Sequence, residues 1–417
     1  MRNPIFLALS NISFLFLLAS EFFSQFAMNL LNFVLLLVVF NLSSSNTAVA
    51  GVVLSFTLPS IFFGILAGIY VDKLNKKNVL VLTNVFRAIA VFPLIFISDK
   101  LFIIYILSFL VSLITQFFIP AETPMIPLLI DKKLLLSANA LFSMGIFGSL
   151  ITAYALSGPL LLFFGDKVVF YIITAFFIFS AFFAFLIKFK VKIPKDREKI
   201  NFTYELKDTI SVMAKAEKVY HSLFLLIILY TLIFVIAVIG PGYAKNILMV
   251  DVEKFPIIFV TPAVIGMGFG AVIIGNFLHK KSKQMLAKVG MLITGIVVLL
   301  FPYGSIITSR EFVKNLNDLL PARLDITNLH IMVFMALVIG FAFSLVFVPS
   351  NTILQEETTD EQRGKIYGSL NTLVGVSSIL PILGVGYAAD VFGVSKVLTA
   401  IGLFIIIISL FRLFKFK

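Results

Sequence analysis

The sequence predicts an all-α integral membrane protein with twelve transmembrane helices arranged as two six-helix pseudo-repeats. Three observations carry this. Of 417 residues, 60% are hydrophobic and 13% charged, and mean hydropathy is +1.08; a soluble domain has about 45–50% apolar and about 25% charged residues. The apolar residues fall into runs of about 20, the length that crosses a bilayer as a helix. The basic residues gather in alternate connections between those runs.

The runs follow in order. Asn11–Phe40 holds one charge, Glu21, and a polar break from Asn41 to Thr47 separates it from Ala48–Val71. Then come Asn78–Ser98 with Arg87, Leu101–Ile130 with Glu122, Leu134–Gly165 and Val168–Ile187. A charged stretch, Lys188–Lys218, precedes His221–Ala244, Phe255–Leu278, Val289–Ser309, Ile331–Leu354, Ile366–Ala389 and Val391–Phe411. The expected domains are a six-helix bundle over 1–187, a basic linker over 188–220 and a second bundle over 221–417. Within the linker Tyr204–Lys218 is expected to form an amphipathic surface helix, and the stretch reads either as a solvated tether beside anionic headgroups or as a regulatory site. Prolines 120, 124 and 127 are expected to kink the fourth span, and Gly240-Pro241-Gly242 to break the seventh.

With both termini in the cytoplasm, inner connections carry 24 Lys and Arg and outer ones 8. That bias predicts a multi-pass protein of the inner (plasma) membrane with this orientation. Net charge +12 is therefore topology chemistry, and no nucleic-acid module accompanies it. The first run is too long for a signal-peptide core. Cys and Trp are absent, which removes disulfides, thiolate metal sites and Cys nucleophiles and the Trp part of an interfacial belt. The 48 Phe read as lipid-facing and core packing, or as the wall of an apolar cavity.

The halves repeat. Gly68-Ile-Tyr-Val-Asp72-Lys73-x-x-Lys76 at the end of the second span matches Gly275-Asn-Phe-Leu-His279-Lys280-x-x-Lys283 at the end of the eighth. Pro120-Ala-Glu122-Thr matches Pro349-Ser-Asn351-Thr in the tenth. Parallel repeats of this kind belong to one transporter architecture.

These motifs resemble the major facilitator superfamily over essentially the whole chain. Gly68-x-x-x-Asp72-Lys73-x-x-Lys76-Lys77 is similar to its cytoplasmic Gly-x-x-x-Asp-Arg-x-Gly-Arg-Arg motif, with Asn75 in place of the second Gly. Pro120-Ala-Glu-Thr-Pro124-x-x-Pro127 resembles the drug- and macrolide-efflux branch, which includes siderophore exporters. Gln362-Arg363-Gly364-Lys-x-x-Gly368 resembles that branch's second-half element, alongside Asn351. Gly158-Pro159 is similar to the core of the drug/proton antiporter motif, without the glycines that usually follow. The resemblance implies a monomeric secondary transporter, not an enzyme. It needs no cofactor beyond a proton gradient, and its partners are a small-molecule substrate and the bilayer. It also implies that Asp72 helps to close the cytoplasmic side near Gly364.

Three ionisable residues lie deep in spans, where each is costly. Arg87 is nine residues into its span and Glu122 nine before Asp131, so both lie about 13 Å inside, which permits an ion pair. Glu21, Gln25, Asn29 and Asn32 share one narrow helical face, which must meet protein or a water-filled cavity. That face reads as interhelical hydrogen bonding or as a cavity wall with Glu21 as proton carrier. The expected function is proton-coupled efflux of amphipathic small molecules or drugs by alternating access. An uncoupled facilitator, a lysophospholipid or lipid flippase and, remotely, a membrane-embedded enzyme are the alternatives.

Orientation is testable on a chain without native thiols. A Cys introduced at Ser44 is expected to react with an impermeant thiol reagent in intact cells, and one at Lys199 only after lysis. Labelling of the Lys199 position from outside overturns the orientation.

Overall fold

The computed structural model describes residues 4–72, 74–188, 217–278, 280–303, 328–357 and 360–415. Among these residues every regular element is a helix. This follows from the solvent: in hydrocarbon each backbone N–H and C=O must be satisfied inside its own segment, and a helix does that. The helices are α1 Pro4–Leu9, α2 Ile12–Ser43, α3 Asn46–Asp72, α4 Lys76–Val91, α5 Leu94–Ile97, α6 Leu101–Glu122, α7 Met125–Leu129 and α8 Leu135–Leu186. After these come α9 Glu217–Asn246, α10 Thr261–Ile273, α11 Lys283–Leu300, α12 Asn328–Glu356, α13 Asp360–Phe392 and α14 Val394–Lys415. Turns of π-helix, Pro256–Val260 and Ile274–Leu278, extend α10 at both ends.

Among the described residues, eleven helical stretches are long and apolar enough to cross a membrane. One of them, Ser137–Leu186, has 50 residues, about 75 Å as a straight helix against a hydrocarbon core of about 30 Å. Gly165 breaks it with φ 75° and ψ 169°, a backbone state that a residue without Cβ adopts freely. α8 is thus two membrane-length arms, consistent with twelve crossings. The break falls where the fifth expected span ends.

The chain forms two compact units. One comprises Met1–Leu42 and Gly51–Lys199, the other Ser43–Ala50 and Ile200–Lys417. The first turn of α3 therefore belongs to the second unit and the rest of that helix to the first.

In the first unit, Phe14 and Leu17 of α2, Leu80 of α4, Phe118 and Ala121 of α6 and Met125 of α7 belong to one buried apolar cluster. Pro93 ends α4, and Thr123-Pro124 ends α6 one turn before α7. Phe23 stacks on Phe176 and Phe183, with ring centroids 5.4 and 5.6 Å away. This ladder reaches the exposed Phe179, so these rings join α2 to the second arm of α8 and face the lipid side.

The second unit packs through small residues. A Cβ on Gly340 of α12 would run into the Ala263 carbonyl, and one on Gly266 of α10 into that of Leu337. Such contacts let helices approach closely where hydrophobicity alone does not drive them together. The expected break at Gly240-Pro241-Gly242 does not occur: α9 runs through it to Asn246. The glycines there serve packing instead. A Cβ on Gly240 would sit 2.7 Å from the Phe255 ring, and one on Gly242 would meet the Asn46 side chain.

Asp390, near the end of α13, caps the start of α3. Its carboxylate accepts from the Ser45 hydroxyl at 2.6 Å, the Asn46 and Thr47 amides at 2.7 and 2.9 Å, the Asn46 side-chain amide at 2.9 Å and the Thr47 hydroxyl at 2.7 Å. The first amides of a helix lack internal acceptors, and an anion there is favoured by the helix dipole. Asp390→Ala is expected to cost about 1 kcal/mol. Melting in detergent should fall by a few degrees, with Asp390→Asn in between; a melt unchanged in both variants overturns the capping role.

Candidate functional site

The three deep charges meet within the first unit. Glu21, Arg87 and Glu122 are 0%, 1% and 4% exposed. They come from α2, α4 and α6, and the second arm of α8 closes the site with Phe177. Arg87 is the largest fully buried side chain. Its Nη2 donates to Asn84 Oδ1 at 2.8 Å and to Ser24 Oγ at 3.1 Å. Asn84 in turn donates to the Leu80 carbonyl at 2.9 Å, which fixes its oxygen toward Arg87. The guanidinium lies over the rings of Phe118 and Phe177, 4.3 and 4.9 Å from their centres. A desolvated cation gains about 2 kcal/mol from such a face.

Sequence depth pairs Arg87 with Glu122; the structure adds a third member. Both carboxyls lie within Coulombic reach of Arg87, Glu122 more strongly than Glu21. Glu21 sits against Glu122 and Gln25. Yet among the described residues both Glu21 oxygens, Glu122 Oε1 and the Arg87 Nε–H donor have no well-aligned hydrogen-bond partner. The contact is charge beside charge without a direct salt bridge, and the guanidinium's hydrogen bonds go to neutral oxygens.

Gln25, Asn29 and Asn32 continue from Glu21 along α2, each half-buried. Asn32 Oδ1 is buried without a hydrogen-bond partner. Ser24, Asn84, Phe118 and Phe177 were not singled out from the sequence. For three of them a signal existed: Ser24 is three residues from Glu21, Asn84 three from Arg87 and Phe118 four from Glu122, the spacings that share a helix face.

The remaining motif residues are dispersed. Gly68 and Asp72 fall in the last turns of α3, and Lys76 and Lys77 open α4. Asn75, the departure from the motif's glycine, caps α4 by accepting from the Asn78 amide. Lys77 Nζ lies 5.2 Å from the Phe185 ring centre. Gly158 and Pro159 lie inside the first arm of α8, and the Asn351 side chain donates to the Phe347 carbonyl of its own helix at 2.9 Å. Arg363 and Gly364 lie in the first turns of α13. Lys73, the side chains of Asp72 and Arg363, and residues 189–216 of the linker lie outside the described part. Among the described residues no group of His, Cys, Asp or Glu could hold a metal ion.

An all-helical chain of two units, with a desolvated charge cluster among the membrane-length helices of one, has the build of a polytopic membrane transporter. The chain belongs to the Major Facilitator Superfamily, whose family model matches residues 17–382. It is 24% identical over 387 residues to an uncharacterized MFS-type transporter, YfiS, of Bacillus subtilis (strain 168), covering 91% of this chain and 87% of that one. Its fold is similar to that of the nucleoside transporter NupG, with TM-score 0.73 at 16% identity, covering 98% and 100% of the two chains. A bacterial homologue of the human lysosomal transporter Spinster, inward-facing and unoccupied, matches with TM-score 0.72 at 13% identity, covering 98% and 96%. The POT family transporter PepTSo matches with TM-score 0.72 at 14%, covering 96% and 97%.

Removing the cation alone leaves two buried carboxyls uncompensated, and breaking such a set typically costs about 3–5 kcal/mol. Arg87→Met is expected to lower folded yield sharply, read by fluorescence-detected size exclusion. Adding Glu122→Gln, and then Glu21→Gln, should restore part of it. Losses that simply add show that the three groups do not act on one another.

Proposed function

We propose that this transporter exports amphipathic small molecules in exchange for protons, by alternating access across the inner membrane. The observation that carries the reading is the buried cluster of two carboxyls against one guanidinium.

Like charges held close in a low-dielectric site do not both ionise readily, and such a pair takes up and releases protons as a unit. With both carboxylates charged the cluster is one negative charge in excess; with one proton it is neutral. The proton also supplies the missing donor, since a protonated carboxyl carries an O–H that its neighbour accepts. Buried acceptors without donors are costly, so the neutral, singly protonated cluster is the better-satisfied one. Glu21 is the proton-exchanging member, because it heads the half-buried polar face of Gln25, Asn29 and Asn32, along which a proton or substrate reaches it. An ionised cluster attracts a cationic amphiphile, so substrate and proton compete for it. Outward direction and the amphipathic class rest on the resemblance of the Pro120–Pro127 segment and Gly158-Pro159 to the efflux branch.

A second reading, an uncoupled facilitator that includes lipid or lysophospholipid movement, draws on one observation. Among the described residues the buried charges all lie in the first unit, and the second buries only neutral polar groups.

One assay separates the two. In proteoliposomes with an imposed pH gradient, ethidium serves as probe and an internal dye reports protons. Gln matches a neutral Glu in shape, so Glu21→Gln is expected to abolish gradient-driven ethidium movement and the accompanying proton flux while folded yield is retained. Transport by the variant that still follows the gradient removes the coupling role, and the uncoupled reading takes its place.

A further inference from the structure

The second unit contains a cationic cleft of its own. It lies at the end of the unit where α9 and α11 begin and α12 and α14 end. It holds about 390 Å³ of empty space, in part open to the outside, lined by His221 and Ser222 of α9, Gln284 and Lys288 of α11, Ser350 of α12 and Arg412 of α14. No carboxylate is among the described lining residues. Among the described residues near the rim, Lys283 holds Glu356 at 2.5 Å and Lys218 holds Glu357 at 2.7 Å. Glu217 Oε1 lies 3.4 Å from His221 Nε2.

Two features point to a ligand. Ser350 is fully buried, and among the described residues its hydroxyl has no hydrogen-bond partner. Its neighbours on α12 bond back to their own helix, Asn351 to the Phe347 carbonyl at 2.9 Å and Thr352 to that of Val348 at 2.8 Å. Ser350 does not, and its O–H remains a donor at the wall of the cleft. Arg412 Cζ lies over the Phe224 ring, 3.8 Å from its centre, a contact that restricts the guanidinium before any anion arrives.

We infer that this cleft binds a phosphate group, as the headgroup of an anionic phospholipid or as a soluble phosphate ester. A guanidinium fork matches phosphate oxygens two at a time, an ammonium adds a point charge, and a hydroxyl and an amide complete the donors. Basic pockets between transmembrane helices on the cytoplasmic side are where anionic headgroups bind. The apolar lining of Leu225, Ala287 and Ile353 suits the glycerol and upper acyl chain of a lipid. The occupant would tie together four helices of the second unit.

The full-length protein is placed in nanodiscs of phosphatidylcholine alone or with phosphatidylglycerol, and both melting temperature and retained lipid (by native mass spectrometry) are read. Phosphatidylglycerol is expected to raise the melting temperature and to remain bound. Arg412→Gln and Lys288→Gln are each expected to weaken this about fivefold, the effect of one cation near a headgroup. Lys396→Gln, which removes the same charge at the opposite end of α14, is expected to leave it intact. Ser350→Ala, which barely perturbs packing, is expected to weaken retention too and keeps the test open if Arg412→Gln fails to fold. In a second arm, inorganic phosphate and glycerol 3-phosphate are titrated onto protein in detergent. Protection there, with the same variant sensitivity and none from phosphatidylglycerol, assigns the cleft to a soluble ester. Equal behaviour of the wild type, Lys396→Gln, Arg412→Gln and Ser350→Ala in both arms overturns the site.

Discussion

A guanidinium buried among membrane helices is the constraint from which the first unit takes its internal arrangement. The site is almost wholly buried, and an isolated ion in such surroundings is strongly disfavoured. Arg87 must therefore find compensation wherever its helix places it. It finds it on three other helices at once: Ser24 and Glu21 on α2, Glu122 and Phe118 on α6, and Phe177 on α8. Sliding any of these helices by one turn, about 5.4 Å, would leave the cation or a carboxyl alone. Apolar packing such as that of Phe14, Leu80, Phe118 and Met125 tolerates a range of registers in lipid, where contacts between helices and with acyl chains differ little. The charge cluster selects one of them.

The second unit reaches register by shape. Glycines facing carbonyls, Gly266 against Leu337 and Gly340 against Ala263, permit contact only where the two small faces coincide. Its buried polar groups are chiefly hydroxyls that bond back into their own helices, as Ser344 does to the Phe341 carbonyl and Thr294 to that of Gly290. These bonds satisfy the side chain without binding one helix to another. The hydroxyls of Thr231, Thr261, Ser350 and Ser409 depart from that pattern, being buried without a partner among the described residues.

Much of the fold was legible because a span announces itself by length and hydropathy, and the break at Gly165 by the glycine between two apolar runs. Glu21, Arg87 and Glu122 were legible for the opposite reason, their cost in such runs. Their grouping was not fully legible. Depth along a helix is readable from residue counts, so Arg87 and Glu122 could be matched, but the rotation of α2 about its axis depends on its neighbours, and so did the arrival of Glu21. Gly240-Pro241-Gly242 misled because the same residues that break a helix in water also admit close packing. In lipid, backbone satisfaction holds the helix and the glycines admit Phe255 and Asn46. Asp390 was missed because its acceptors are backbone and hydroxyl donors 343 to 345 positions away. The polar string from Asn41 to Thr47 was readable as a break between spans, but not as a helix start with a distant cap.

The two halves repeat in sequence yet divide their chemistry. Charge compensation lies in the first and small-residue packing in the second. A proton that binds one cluster can bias a transport cycle only if that cluster differs in proton affinity between access states. Burial supplies such a difference, because a single negative charge costs far less when water reaches it than when it does not. Under the proposed exchange, confining the titrating groups to one half would mean that only one set of helices must exchange a dry surrounding for a wet one. Among the described residues the glycine-packed half has no buried charge to compensate. In that proposal a proton would act as a switch on hydration: a neutral cluster tolerates enclosure, and a charged one favours a state in which Glu21 and its polar stripe face water.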